Sequence, residues 1–312
     1  MSSISSRLRL TSARRGQRTA APPGQAHAAR RAYALLAPGV LLFVVVIVWS
    51  IAQTFWKSFY VWDGVTAPSW AGLDNYRAIY NDPLVRSSLE HSFVLIIFTC
   101  VIPVIIGLTL AVLLSRAQRR GMAFFRTLLF TPQVLSGIAV GTIWKWMYDP
   151  SDGPINRALV SIGVPSFAKP WLGDFSIALP AIGIIGTWVT MGLCVVLLLA
   201  GIQKIPPSLY DAARVDGAGW FAELRAVTLP GLRNEMLVAI TLTLIIALRI
   251  FDIVFVTTKG GPGEATYVPT LWIYQQAFQY GVVGSAAALA VVLTIIIMVI
   301  SVTVNRVGER SR

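Results

Sequence analysis

Charge is scarce in this chain. Only 13% of its 312 residues are Asp, Glu, Lys or Arg, about half the share of an ordinary soluble domain. A self-contained water-soluble fold is therefore excluded. Sulfur and imidazole are scarcer still, with two cysteines and two histidines in all. Cys100 and Cys194 lie inside apolar runs, so they read as small buried hydrophobes, not as a disulfide, and no Cys/His cluster offers a metal site. There is no G-x-x-x-x-G-K-S/T phosphate cradle. The nearest approach, Lys57-Ser58, follows Trp56 where the cradle needs backbone room. G-x-S-x-G and H-E-x-x-H are missing too. Catalysis on this chain is not expected. The net charge of +12 is divided among segments between apolar runs and forms no continuous basic face, which argues against nucleic acid.

What is abundant is apolar surface: 55% of residues are hydrophobic and the mean hydropathy is +0.68. A membrane-crossing helix needs about 20 apolar residues. Six stretches qualify, roughly Tyr33–Trp56, Ser92–Leu114, Phe124–Tyr148, Ile177–Ile202, Met236–Thr257 and Val282–Val304. The expected fold class is thus an all-α integral membrane protein of six helices, spanning 31–308. Pro180 and several glycines weaken the fourth stretch, and Pro103 and Pro132 interrupt the second and third. Such breaks survive in a bilayer only where neighbouring helices or water satisfy the freed backbone groups. A packed bundle around a pathway is expected.

Basic loop residues orient the bundle. The tail, taken as residues 1–30 and read as a disordered positive extension, opens a side that also holds Arg116, Arg119, Arg120, Arg126, Lys204, Arg214, Arg225, Arg233, Arg306, Arg310 and Arg312. The opposite side has only Lys57, Arg77, Arg86, Arg157, Lys169 and Lys259. Both termini, including the short tail 309–312, are expected in the cytoplasm.

One cytoplasmic segment, within 204–232, is unlike its surroundings: Ser208–Pro230, SLYDAARVDGAGWFAELRAVTLP. Pro206 and Pro207 stop the fourth span. Ser208 and Asp211 match a capping pattern that starts a helix at Leu209. Asp211 and Arg214, three apart, are placed to pair. Gly217 and Gly219 end that helix. A second follows, with Trp220, Phe221, Leu224 and Val227 on one face and Glu223 and Arg225 elsewhere on the surface. The small Ala212, Ala213 and Ala218 allow close approach by another surface. The segment reads either as a docking element or as an interfacial connector resting on lipid headgroups.

The stretch YDAARVDGAGWFAELRAVTLP resembles the EAA loop of ABC-transporter permeases. Phe251–Pro262 (FDIVFVTTKGGP), Tyr274–Phe278 (YQQAF) and Gly284–Ala288 (GSAAA) resemble the carbohydrate-uptake branch, of the maltose or glycerol-phosphate type. The resemblance covers about residues 30 to 305. It departs from the family at Asp211, where Glu prevails, at Leu224, where an aromatic is frequent, and at Asn234, where a second proline often stands. It implies a permease subunit of an importer in the cytoplasmic membrane of a prokaryote. It also implies a second permease, two ATPase subunits that carry ATP and Mg, and an extracytoplasmic solute-binding protein, with no cofactor on this chain. In the family this loop is the coupling helix. Its counterparts here are Asp211, Ala212, Ala213, Asp216, Gly217 and Ala218, with Trp220 and Phe221 packing the contact.

Ionisable groups inside a span are functional candidates, because each costs about 2.5–3.5 kcal/mol at a helix centre. Arg249 and Asp252, three apart, read either as pathway lining or as a structural ion pair. With Gln133, Ser136, Trp188, Thr190 and Phe251 they form the candidate pathway set. A sugar is the expected solute, glycerol phosphate or another polyol derivative the alternative. An ATPase-independent channel or a membrane-embedded enzyme fits less well, lacking a filter-like or catalytic signature.

Overall fold

The structure is a computed structural model that describes residues 25–116 and 121–310. Most of the expected N-terminal tail, with Arg119, Arg120 and Arg312, lies outside them. Two compact units are distinguished, one ending at Ala52 and the other spanning Gln53–Arg312. The first is helical, with α1 (Gln25–Phe43) running through a π turn (Val44–Val48) into α2 (Trp49–Lys57), whose residues from Gln53 on belong to the second unit. Helix α1 thus begins six residues inside the segment expected to be a tail. Apolar side chains of this unit, such as Leu35, Leu41 and Phe43, are exposed.

After the end of α2, the second unit forms a hairpin of two-residue strands, β1 (Tyr60–Val61) and β2 (Ser69–Trp70), paired antiparallel with Tyr60 opposite Trp70. This is the one departure from all-α among the described residues. Helices α3 (Asp74–Asn81) and α4 (Pro83–Ile96) follow. A π turn (Ile97–Val101) joins α4 to α5 (Ile102–Arg116) as one long span. Asp82 caps α4, its carboxylate accepting from Leu84 N at 2.8 Å. Pro103 lies inside this continuous span, two residues past the π turn, where its missing N–H leaves a carbonyl of the preceding turn without a helical donor.

Five helical stretches are long and apolar enough to cross a membrane, and a bent pair makes up to six. The bent pair corrects the expected third span. Helices α6 (Met122–Val134) and α7 (Gly137–Met147) meet at 99° across Leu135 and Ser136. The bend lies beyond Pro132, at two residues with extended ψ. A short α8 (Pro154–Ser161) leads to α9 (Ala178–Ile202), the most enclosed of the spans. Pro180 does not weaken α9, because it sits at the third helical position, where its absent N–H would have had no partner.

Helices α10 (Pro207–Val215), α11 (Trp220–Glu223) and α12 (Leu229–Gly231) form the 204–232 loop, with a π turn (Leu224–Thr228) between the last two. The fifth span is also interrupted. Helix α13 (Arg233–Leu248) stops, Arg249–Phe251 are non-helical, and α14 (Asp252–Thr257) resumes. Helix α15 (Pro269–Tyr274), a π turn (Gln275–Gln279) and α16 (Val283–Arg310) complete the chain; α16 runs into the segment expected to be a C-terminal tail.

Three hydrophobic clusters hold the bundle, the smallest around Cys100, Leu244 and Leu248. One gathers Ile182, Ile185, Val254, Leu271 and Leu289. Another gathers Ala111, Leu198, Ile202, Ile205 and Leu232 beneath the 204–232 loop. The GSAAA stretch earns its composition by packing. Ser285 Oγ donates to Asn75 Oδ1 at 3.2 Å, while Asn75 Nδ2 donates to Ser58 O and Tyr60 O at 2.9 Å each. Ala286, Ala287 and Ala288 are buried behind it.

Candidate functional site: a cavity at three helix breaks and an exposed helical loop

Three irregularities converge in the second unit. They are the π turn at Ile97–Val101, the bend at Leu135–Ser136 and the break at Arg249–Phe251. Between them lies a cavity of about 310 Å³, with the Gly186–Thr190 stretch of α9 completing its wall. Irregular backbone at membrane depth is tolerated where it borders a cavity and its polar groups find partners. Here partners are supplied. Thr187 Oγ1 donates to Phe98 O at 2.6 Å, and Thr190 Oγ1 lies 3.1 Å from Thr99 O and 2.8 Å from Gly186 O. Thr270 Oγ1 donates to Ile250 O at 2.5 Å, steadying the break in the fifth span.

Of the seven pathway candidates, Gln133, Thr190, Arg249, Phe251 and Asp252 line this one cavity. Ser136 stands at the bend between Leu135 and Gly137, which line it, but is not itself in the lining. Trp188 is also elsewhere. Its ring meets Trp144 edge-on at 5.7 Å in the large hydrophobic cluster. Two residues along a helix are about 200° apart around its axis, so Trp188 and Thr190 cannot share a face.

Of the two readings of Arg249 and Asp252, the ion pair is not formed. Pairing at that spacing needs a continuous helix, and the helix is broken between them. Each charge instead answers a helix end. Arg249 caps the C-terminus of α13, where a cation is favoured. The Asp252 carboxylate lies against Gly137, so close that a Cβ there would fall 2.7 Å from Oδ2. Gly137 begins α7, where a negative charge is favoured. Both side chains remain exposed to the cavity.

Sequence reasoning missed Thr99. It is 1% exposed, lines the cavity, and its Oγ1 has no hydrogen-bond partner. The Oε1 of Gln133 is likewise buried and unpartnered. The cavity wall therefore offers one guanidinium, one carboxylate, an amide and a hydroxyl, set among Leu135, Val189, Ile245 and Phe251. That is the donor and acceptor set for a polar, hydroxyl-bearing molecule of moderate size.

The second candidate site is the 204–232 loop. Its helix starts at Pro207, with Pro206 as N-cap and no side-chain cap bond. The capping pair expected from Ser208 and Asp211 is thus replaced by proline at the first helical position. Gly217, at φ +79°, ends α10 in a Schellman motif: Ala218 N donates to Ala213 O at 2.9 Å and Gly217 N to Arg214 O at 3.0 Å. Asp211 pairs with Arg214 at 3.3 Å, as expected. The same guanidinium reaches Glu223 at 3.0 Å. Glu223 is 4% exposed, which corrects its placement on the surface. Arg214 thereby ties α10 to α11.

The apolar face expected of the second helix is divided. Leu224 and Val227 pack on the cluster around Leu198 and Leu232. Trp220 and Phe221 point away and are exposed, Phe221 by 68%. The π turn that begins at Leu224 shifts the helical register between the two pairs. Asp211, Ala212, Asp216 and Gly217 are exposed with them, and Ala213 and Ala218 are half-buried.

Residues 103–311 match the family described as binding-protein-dependent transport system inner membrane component. The trehalose/maltose transport system permease protein MalF of Thermococcus litoralis is 32% identical over 289 residues, covering 91% of this chain and 95% of that protein. The diacetylchitobiose uptake system permease protein NgcF of Streptomyces coelicolor is 30% identical over 287 residues, covering 88% and 81%. A bacterial ABC transporter that imports the acidic polysaccharide alginate shares the fold, with a TM-score of 0.78 at 20% identity, covering 92% of this chain and 98% of the matched one. The chain belongs to the family of binding-protein-dependent transport system inner membrane components, the non-catalytic permease subunits of ABC importers.

Proposed function

We propose that this permease passes a sugar across the cytoplasmic membrane, using ATP hydrolysed with Mg²⁺ on partner subunits. The observation that carries the reading is the cavity where two interrupted spans meet, walled by polar groups of which Thr99 Oγ1 and Gln133 Oε1 have no partner of their own. The similarity to permeases named for trehalose/maltose and diacetylchitobiose uptake supports the sugar. Both termini and the 204–232 loop face the cytoplasm in this reading, following the basic residues. Gln133, Thr190, Arg249, Phe251 and Asp252, joined by Thr99, contact the solute in transit.

The loop is the docking element for an ATPase. Its apolar side chains Val215, Trp220 and Phe221 are turned outward, and exposed apolar patches of this kind serve contacts with other proteins. Asp211, Ala212, Ala213, Asp216, Gly217 and Ala218 form the face that seats in the ATPase, and rigid-body movement of that subunit passes through it to the spans. The complete importer has a second permease of similar fold, two ATPases and an extracytoplasmic binding protein. A second reading, glycerol phosphate or another anionic polyol, is favoured by Arg249, a cavity-lining cation that forms no ion pair among the described residues.

The test is purification of the chain from its native membrane in mild detergent, followed by identification of its companions. Recovery of an ATPase and a second permease is the expected result; recovery of the chain alone contradicts it. The companion binding protein is then screened against sugars and glycerol phosphates to decide between the two solutes.

A further inference from the structure

The YQQAF stretch, Tyr274–Phe278, has no role in the account so far. It closes α15 and enters the π turn Gln275–Gln279, a local geometry frequent at functional sites. Its two aromatic rings continue a chain that starts in the cavity. Phe251, a cavity-lining residue, stacks on Phe255 one helical turn along, with centroids 5.2 Å apart. Tyr274 meets both rings, at 5.3 Å and 5.2 Å. Phe278, one turn further, meets Tyr274 at 5.5 Å and is 79% exposed. The ladder thus leads from the cavity to a ring at the surface. Its outer rung is on the hairpin side of the bundle, since the neighbouring Gly284 N donates to Trp62 O at 3.2 Å.

A ring of aromatics facing lipid would account for exposure alone. It does not account for the glutamines. Gln275, Gln276 and Gln279 share the turn with the two rings. The Gln275 amide is engaged by the Tyr267 hydroxyl, whereas the amides of Gln276 and Gln279 make no hydrogen bond among the described residues. Amides without partners are disfavoured against hydrocarbon. Flat apolar rings beside free amides suit a molecule with an apolar ring face and hydroxyls around its edge.

We infer that Phe278, Tyr274, Phe255 and Phe251 form a track that hands a pyranose-type sugar from the hairpin side of the bundle to the cavity, with Gln276 and Gln279 holding its hydroxyls at the outer end. This rests on the sugar reading above and deepens it by naming a ring-bearing solute and its route. Phe278 is a positioning residue. It touches the solute before the cavity does and has no part in coupling.

The experiment uses membrane vesicles carrying the whole transporter, with its binding protein. Uptake is measured with labelled maltose, trehalose and cellobiose, and with glycerol 3-phosphate as the acyclic probe. ATP hydrolysis stimulated by the loaded binding protein is measured alongside. Phe278→Ala removes a ring that supports no core, so the fold is retained. It lowers uptake of the transported disaccharide roughly three- to tenfold at unchanged ATP hydrolysis, in keeping with the loss of one aromatic contact. Phe278→Trp restores uptake. Disaccharide uptake unaltered in Phe278→Ala overturns the track and leaves the sugar reading standing. Failure of the wild-type transporter to take up any of the disaccharides, with or without uptake of glycerol 3-phosphate, overturns the sugar reading and the track together.

Discussion

Helix α9 and the corner between α10 and α11 in the 204–232 loop both depend on glycine, and the residue does opposite work in each. In α9 glycine makes room. A Cβ at Gly192 would fall 1.9 Å from Leu129 O and 2.9 Å from Phe130 Cα, so α6 rests directly on the α9 backbone. In the loop glycine makes a turn. Gly217 has nothing within 4 Å of a Cβ but holds φ at +79°. The membrane bundle is built by close approach of backbones. The loop is built by local chain geometry and keeps its surface free. That difference suits a rigid body that contains a pathway and a separate element offered to another protein.

The largest expected effect breaks the first half of the comparison. Gly192→Ala sets a methyl group against backbone that cannot rotate away. It should cost about 3 kcal/mol and reduce accumulation of the protein in the membrane, read by thermal unfolding in detergent and by immunoblot. Next comes Arg214→Ala. It strips the guanidinium from the nearly buried Glu223 and unties α10 from α11, at a cost of about 2 kcal/mol. Limited proteolysis should then cut within 204–232 faster, while the bundle unfolds at its usual temperature. A smaller effect is expected from Gly217→Ala, about 1 kcal/mol for a left-handed alanine. Gly219→Ala is its control. Gly219 has φ −73° and open space around it, so proteolysis and ATPase recovery should both match wild type. Equal effects at 217 and 219 would dissolve the distinction between turn and space.

The smallest effect concerns the loops on the hairpin side. Asp63, Asp149 and Asp174 accept hydrogen bonds from groups two or three residues on, Asp63 from Val65 N at 2.9 Å, Asp149 from Asp152 N at 2.8 Å and Asp174 from Ser176 Oγ at 2.6 Å. These bonds hold all three carboxyls below the usual carboxylate range. A depressed folded-state pKa adds stability above the unfolded value, lost as pH falls through the folded one. Hydrogen exchange at Val65, Thr66, Ser151 and Ser176, corrected for its intrinsic pH dependence, should therefore lose protection only below about pH 4. The 204–232 loop should show no matching change attributable to these residues.

The comparison also explains what could be read from the sequence. The loop was legible because its signals are local: two prolines at the start of a helix, a glycine after it, and Asp211 three residues from Arg214. The burial of Glu223 was not, since it depends on Arg214 reaching across from a second helix and on a π turn that carries no pattern of its own. The cavity was legible to the extent that polar residues stood out in apolar runs, which found Gln133, Thr190, Arg249 and Asp252. Thr99 was passed over because a threonine in a span ordinarily bonds back to its own helix, and only the π turn leaves this one facing a cavity. Of the two readings of Arg249 and Asp252, the ion pair fails because spacing by three assumes an unbroken helix. Trp188 was grouped with Thr190 by proximity along the chain, which helical rotation overrules.

The most direct test of the central claim is a cross-link from the loop. Both native thiols, Cys100 and Cys194, are buried, so Ala212→Cys adds a single accessible one. Native membranes carrying this variant are treated with a photoactivatable thiol reagent, illuminated, and the adduct is identified by mass spectrometry. The account predicts an adduct with an ATPase subunit, weakened by Phe221→Ala. Adducts with lipid alone, from a transporter that still takes up solute, would contradict it and return the loop to a connector lying on the membrane surface.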